Sequence, residues 1–328
     1  MSKQVFYVGI DVGSKELVAT VEGRRPRCFK HSQAGIKAMV EWAEKIAAGT
    51  ALQFCMEATG VYGYSAASRL YREHGCSVSI INPAQIAAYA KAQLRRTKTD
   101  FVDAQVILSF AASQKPPLWK PESKALRQLY LLVTEADRIR QEQNQWSNRE
   151  HARKYQEDLP DIIKKSRKAV QRTLQRQLEK IEKAITDICN QDNEIKQQVQ
   201  ILCSIPGISN HSAVHILAYG KSALYKLNRR ALTAHAGLAP AQKQSGTSIN
   251  GKSRIAKQGD RRLRKVLFMP ALVAAYHNPI LKSFYQKLLE RGKPKMVAIV
   301  AVMKKILLML RAMLIKKTMF NPEYTLDS

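Results

Sequence analysis

Short apolar runs that end in an acid alternate with stretches of helical period through the first third of the chain. Val5-Phe6-Tyr7-Val8-Gly9-Ile10-Asp11 predicts a buried strand with Asp11 at its C-terminal end. Val12-Gly13-Ser14 turns, Glu16–Glu22 predicts a second strand, Arg24-Arg25-Pro26 turns again, and Arg27–Lys30 predicts a third. Ser32 is an N-cap for a helical pattern that runs to about Ala48. Ala51–Met56 predicts another buried strand, also closed by an acid, Glu57, with Ala58-Thr59-Gly60 behind it. A helix over about Tyr62–His74 stops at Gly75, and Ser77–Ile81 is a strand closed by Asn82-Pro83. Ala84–Arg95 is helical, and after the loop Arg96–Thr99 a helix runs from Asp100 to about Gln114, where Lys115-Pro116-Pro117 ends the unit.

Three strands followed by strands alternating with helices predict an α/β unit with a mixed sheet. Its carboxylates fall where such sheets carry their sites. Asp11 and Glu57 each close a strand, and Asp100 and Asp103 open a helix at a spacing that puts both on one face. One carboxylate at a strand end or in a first helical turn serves equally as a cap that favours the helix dipole. Four in this order match an RNase-H-like nuclease core, in which clustered carboxylates hold divalent cations for phosphoryl transfer.

The pattern changes after residue 121. Glu122–Val199 has no glycine and one proline, Pro160, and is rich in Gln, Glu, Lys and Arg. Leu174, Leu178, Ile181, Ile185 and Ile188 recur at alternating spacings of four and three, a heptad seam. Two long helices broken near Leu159-Pro160 are expected, with the seam closed either as an intramolecular hairpin or as an oligomerisation coiled coil. Beyond it, Ile205-Pro206-Gly207-Ile208 between two helical patterns resembles a helix–hairpin–helix turn, which would offer Gly207 and backbone amides to a phosphate, or else is a structural hairpin. His211 and His215 have metal-ligand spacing but no third ligand in the sequence nearby. Residues 242–254 read as a loop, small, polar and basic, with Lys243, Ser245, Gly246, Thr247, Ser248, Gly251, Lys252, Ser253 and Arg254. Lys257, Arg261, Arg262, Arg264 and Lys265 follow at a helix start, and the remainder to about Lys317 is helical. Basic side chains beside hydroxyls and glycines suit a phosphodiester backbone, with or without a hydroxyl that attacks phosphorus.

Charge narrows the class of partner. The 328 residues carry 54 Lys+Arg against 26 Asp+Glu, a net charge of +28. Residues 1–120 hold 16 basic and 9 acidic residues, residues 121–200 hold 16 and 13, and residues 201–328 hold 22 and 4. A polyanion is the expected partner, met mainly by the last third. Five scattered cysteines without a CxxC pair, and an N-terminus that runs straight into a strand pattern, predict reduced thiols in a cytoplasm. Met296–Ile315 is apolar but interrupted by Lys304, Lys305 and Arg311, which predicts a buried helix rather than a membrane span.

These motifs together resemble the DEDD insertion-sequence transposases, the insertion-sequence-110 family, and their relatives the Piv-type DNA invertases. The resemblance is carried by Gly9-Ile10-Asp11, Glu57-Ala58-Thr59-Gly60, Ile81-Asn82-Pro83, Lys98-Thr99-Asp100 with Asp103-Ala104, Ile205-Pro206-Gly207-Ile208, Gly237-Leu238 with Pro240, Ser245-Gly246, and Gly251 through Lys257 to Gly259. It implies a RuvC-like domain over residues 1–118, a helical coiled-coil domain over 119–200 and a mainly helical transposase domain over 201–328. It implies that Asp11, Glu57, Asp100 and Asp103 bind Mg²⁺ or Mn²⁺, and that Ser245 is a nucleophile forming a phosphoserine link to DNA, with Ser248 or Thr247 as the alternative. It implies a structured bridge RNA, non-coding, that pairs with donor and target double-stranded DNA. It also implies a homo-oligomer, a dimer assembling to a tetramer, whose composite active sites combine the tetrad of one subunit with the serine of another. Lys243, Lys252, Arg254, Lys257, Arg261, Arg262 and Arg264 are the expected nucleic-acid contacts beside Gly207, the enzyme joining the nucleoid when bound to DNA.

Three other readings share some of these residues. A junction resolvase would use the same tetrad with water as nucleophile and would not need Ser245. An actin-like kinase would share Gly9-Ile10-Asp11-Val12-Gly13-Ser14 as a phosphate loop, but no second Asp-x-Gly-Gly loop is present and +28 is an odd charge for it. A non-catalytic nucleic-acid scaffold would leave the four carboxylates unexplained.

Overall fold

The computed structural model describes residues 5–94, 97, 99–153, 160–241, 244, 245, 249, 250, 254–256 and 258–322. The chain divides into two compact units, residues 1–121 and 122–328.

The first unit is a five-stranded mixed sheet in the order β3-β2-β1-β4-β5. Its strands are β1 (Val5–Val12), β2 (Glu16–Thr20), β3 (Arg27–Lys30), β4 (Ala51–Glu57) and β5 (Ser77–Ile81). The β1–β2 and β2–β3 pairs are antiparallel, as two short turns require, and the β1–β4 and β4–β5 pairs are parallel, each joined through a helix. The helices are α1 (Gln33–Ala47), α2 (Gly60–Arg72), α3 (Pro83–Ala92) and α4 (Asp100–Gln114). Ser32, as expected, caps α1 by accepting a hydrogen bond from the Gly35 amide.

Alternation along the strands sorts side chains to the two faces of the sheet. Val8, Ile10, Phe54 and Met56 are buried with Ile36, Met39, Ala66 and Leu70 of α1 and α2. Cys55 and Ile81 are buried with Ile86 of α3 and with Val106, Ile107 and Phe110 of α4. Gly9 shares the face of α4: a Cβ there would lie 2.5 Å from the Ala104 carbonyl oxygen and 2.6 Å from the Leu108 amide nitrogen. Only a residue without a side chain lets α4 come this close to β1.

The second unit is helical. Helices α5 (Lys124–Arg153) and α6 (Asp161–Gln191) pack on each other, with the Leu159-Pro160 break falling partly outside the described residues. The sequence pattern predicts one helix to about Val199. Instead Asp192 ends α6 in an extended conformation, and its carboxylate caps α7 (Asn193–Cys203) at the Ile195 amide. The heptad seam is covered within the chain. Leu178 and Ile185 are buried in one core with Leu129, Val133 and Ala136 of α5, and Leu174, Ile181 and Ile188 pack against it. Leu178→Asp is therefore expected to lower stability by about 3 kcal/mol through a charge placed in that core. Chemical denaturation at low protein concentration checks it, and an unchanged midpoint would mean that the seam is not internal.

The same core takes in α8 (Asn210–Gly220), α9 (Ala223–Lys226), α10 (Arg229–His235), α11 (Arg261–His277), α12 (Pro279–Glu290) and α13 (Lys295–Lys316). Asn278 is fully buried between α11 and α12 and caps the latter at the Ile280 and Leu281 amides. Among the described residues no helix is long and apolar enough to cross a membrane. In α13 the expected charges are absorbed, Arg311 donating to the Leu227 carbonyl at 2.8 Å and Lys305 lying 4.4 Å over the Phe284 ring.

The segment between α10 and α11, read from sequence as a loop, contains two short antiparallel ladders. Strand β6 (Pro240–Ala241) pairs with β9 (Arg254–Ile255), and β7 (Gln244–Ser245) pairs with β8 (Ile249–Asn250). Backbone pairing, which side-chain polarity does not report, makes this a hairpin.

Candidate active site

The four predicted carboxylates are positioned by three elements of the first unit. In the parallel β1–β4 register Gly9 lies beside Cys55 and Ile10 beside Met56, so Asp11 and Glu57 come to the same end of neighbouring strands. Both have the parity of Gly9 and Cys55, the face on which α4 packs. Helix α4 opens there with Asp100 and Asp103, capped by Thr99, whose hydroxyl accepts from the Val102 amide at 3.3 Å. The close approach at Gly9 thus brings the first turn of α4 up to the end of β1.

The electrostatics of Asp11 register this gathering. Its carboxyl is pushed up to about 6, first by burial and then by the charges of Asp100 and Asp103, with Glu57 adding to them. A hydrogen bond from the Val12 amide pulls the other way. Among the described residues no three His, Cys, Asp or Glu side chains already converge to the distances a metal ion needs. The four carboxylates are within electrostatic reach of one another. The donor set is carboxylate oxygen, the chemistry of hard divalent cations such as Mg²⁺ and Mn²⁺, so the residues fit that group.

Two neighbours carried no sequence signal. His31, beyond β3, is tied to the Gly13 carbonyl by Nδ1 at 2.9 Å, two residues past Asp11. The exposed Tyr62 ring of α2 stands edge-on to His31, 6.3 Å between centroids. They reach the strand end from separate elements, which no local motif announces.

In the second unit Ser245 is the last residue of β7, paired with Ile249 of β8. Lys243, Gly246, Thr247, Ser248, Lys252, Ser253 and Lys257 lie outside the described residues, as does Lys98 of the N-terminal motif. Arg254 is placed by its backbone opposite Ala241. Arg261 is exposed at the start of α11, whose N-terminus is capped by Asp260. Arg262 donates to the Tyr130 and Thr134 hydroxyls, both at 3.4 Å, and stands over the Tyr219 ring at 5.8 Å. Arg264 donates to the Ala236 and Gly237 carbonyls that end α10. Both arginines thus have partners within the chain, Arg262 exposed and Arg264 partly buried.

Gly207 has φ +103°, and a Cβ there would meet the Ala274 amide at 2.9 Å. Close packing on α11 accounts for this glycine without a phosphate. The His211 and His215 rings stack at 3.9 Å. His215 Nδ1 bonds the His211 carbonyl, and its Nε2 lies 3.3 Å from Asp137. Asp137 also accepts from the Tyr219 hydroxyl and from Arg140. These hydrogen bonds hold its carboxyl well below the usual carboxylate range against the opposing effect of burial. This network joins α5 to α8.

Comparison with known proteins bears on the whole chain. Residues 8–153 match the model of a family described as a transposase, and residues 199–286 match one described as transposase IS116/IS110/IS902 family. The pilin gene-inverting protein of Moraxella bovis is 31% identical over 307 residues, 92% of this chain and 93% of that protein. Its counterpart in Moraxella lacunata is 31% identical over 306 residues, 92% of this chain and 93% of that protein. The insertion element IS110 uncharacterized 43.6 kDa protein of Streptomyces coelicolor is 29% identical over 121 residues, 37% of this chain and 30% of that one. Matched at this level along nearly its full length, the chain belongs to the IS116/IS110/IS902 family of transposases and is, at that level, an enzyme of DNA recombination.

Proposed function

We propose that this protein cuts and rejoins DNA strands at the carboxylate centre of its first unit, using Ser245 as the nucleophile and an RNA to choose the sites. The observation that carries the reading is the gathering of Glu57, Asp100 and Asp103 around a half-buried Asp11, whose carboxyl is pushed up to about 6 first by burial and then by their charges. Asp11, Glu57, Asp100 and Asp103 would hold Mg²⁺ or Mn²⁺, which supplies charge neutralisation at phosphorus and a lowered hydroxyl pKa when bound.

The serine step conserves bonds. The Ser245 hydroxyl gives up its proton, its oxygen bonds phosphorus, and one ester bond from that phosphorus to a deoxyribose breaks, the released hydroxyl taking a proton. A hydroxyl from the other DNA then attacks the same phosphorus and expels serine. One phosphodiester is exchanged for another, so the exchange needs no external energy source. The Ser245-Gly246 pair, among the basic residues of this segment, supports the assignment. The net charge of +28 fits a protein that handles two polyanions, DNA and a guide RNA. Assembly through more than one copy belongs to the same reading, since exchange joins two duplexes.

The test is a covalent-adduct assay. The protein is incubated with Mg²⁺, co-purifying RNA and element-end DNA, and a denaturation-resistant protein–DNA species is sought. Wild type is expected to give it; Ser245→Ala and ribonuclease-treated wild type are not. Metal-dependent cutting without an adduct, indifferent to Ser245, would instead make the enzyme a resolvase-type nuclease with water as nucleophile.

A further inference from the structure

The net charge of the central segment conceals a segregation that the helices reveal. Helix α6 carries eight basic and four acidic residues. Lys168, Arg172, Arg176 and Lys180 follow one another at spacings of four, with Lys165 and Lys183 on the same side. At 3.6 residues per turn Lys165, Arg176, Lys180 and Lys183 lie nearly half a turn around the helix from the buried Leu178 and Ile185, Arg172 about a third of a turn and Lys168 about a quarter. All six are exposed.

The acids of α6 do little to cancel this row. Asp161 pairs with Lys164, which is not in the row, at 3.3 Å. Glu182 is taken by Arg140 of α5 at 2.6 Å, and Glu179 accepts from Gln175 at 2.8 Å. Asp187 is exposed beyond the end of the row. Arg167, on the seam side, is buried against Glu150 of α5 at 3.0 Å. Among the described residues, the six cations of the row make no ion pair with a carboxylate of this chain. Arg172 and Arg176 also line an open groove of about 490 Å³ with Gln143, Gln171, Gln175 and one carboxylate, that of Glu179, which is bonded to Gln175.

We infer that this face of α6 is a second DNA-binding surface, a ridge that grips the phosphate backbone of duplex DNA. The family supplies DNA as the polyanion, and the geometry suits it. From Lys165 to Lys183 the ridge is about 27 Å long at ~1.5 Å per residue. That is about eight base pairs at ~3.4 Å per step. Lysine and arginine at this spacing read charge and shape rather than sequence.

The full-length protein and a random-sequence duplex test it. Arg172→Ala, Arg176→Ala and Lys180→Ala are combined, alanine being the best helix former, with circular dichroism to confirm the fold. The slope of log affinity against log salt is expected to fall by about 2.7, because three phosphates are no longer neutralised, with affinity at least about tenfold weaker. Arg172→Lys with Arg176→Lys is expected to keep both. An unchanged slope for the triple variant overturns the proposal. So does weakened binding of an RNA duplex with DNA binding intact, which would give the ridge to RNA. A fall in solution mass with DNA binding intact would make it a contact between copies of the chain and overturn it as well.

Discussion

Asp11→Asn is expected to lower strand cleavage at least about a thousandfold, ~4 kcal/mol of transition-state stabilisation, while DNA binding stays within about a factor of two. The substitution keeps the shape of the side chain and removes the charge that would draw a divalent cation to the end of β1. It should also change stability in a direction opposite to most active-site damage. The Asp11 carboxyl titrates near 6 in the folded chain, above its ordinary range, so its deprotonation is disfavoured by folding. The stability it contributes is therefore fully present below about pH 4 and is lost as the pH rises through about 6. Metal-free wild type should lose thermal stability across that interval, and metal-free Asp11→Asn should lose less. Near neutrality the variant should be more stable by about 1 kcal/mol, a figure reduced for the group's partial exposure to solvent. Mg²⁺ should raise the wild-type midpoint and leave the variant's unchanged. Calorimetry with and without chelator, from pH 4 to 8, reads all three. A variant that cuts normally would remove Asp11 from the chemistry.

Gly9→Val is expected to have the largest effect on stability, about 3 kcal/mol or more, with a midpoint lower by roughly 10 °C. The atoms it would strike are backbone atoms of α4, the Ala104 carbonyl and the Leu108 amide, so no change of rotamer relieves the clash. Helix α4 must move off the sheet and carry Asp100 and Asp103 with it. Cleavage should then fall even where the variant is folded, and the Asp11 carboxyl should titrate closer to its ordinary value as its two acidic neighbours retreat. Nuclear magnetic resonance titration of the aspartate carboxyls measures this. An unshifted Asp11 in a folded Gly9→Val protein would mean that the glycine does not set the distance between β1 and α4.

These two residues mark how much the chain discloses. Asp11 was legible because an acid ending an apolar run is a local pattern, and Glu57 and the Asp100/Asp103 pair are local patterns of the same kind. Gly9 stood in the motif without a stated role, since its reason is contact with residues about a hundred positions away. The same holds for His31, which meets Gly13 only because β2 and β3 fold back on β1. Arg262 and Arg264 read as phosphate contacts because arginines and lysines follow a stretch of hydroxyls and glycines, a local pattern. Their tertiary partners, Tyr130, Thr134 and Tyr219 for one and the end of α10 for the other, come from distant segments. The heptad seam was legible as a seam. What covers it depended on α5, and the break at Asp192 depended on one side chain turning to cap the next helix.

By itself the sequence determined the mixed α/β order of the first unit, the helical character of the second, the carboxylates at two strand ends and one helix start, and the excess of positive charge. Each of these follows from periodicity, capping or composition within a few tens of residues. Only the tertiary structure decided that Asp11 sits among three other acids, because strand parity and the gap at Gly9 operate across the sheet. It alone decided which cations have partners in the chain and which, among the described residues, make no ion pair along α6, because a charge is neutralised or left available by partners that lie far away in the chain.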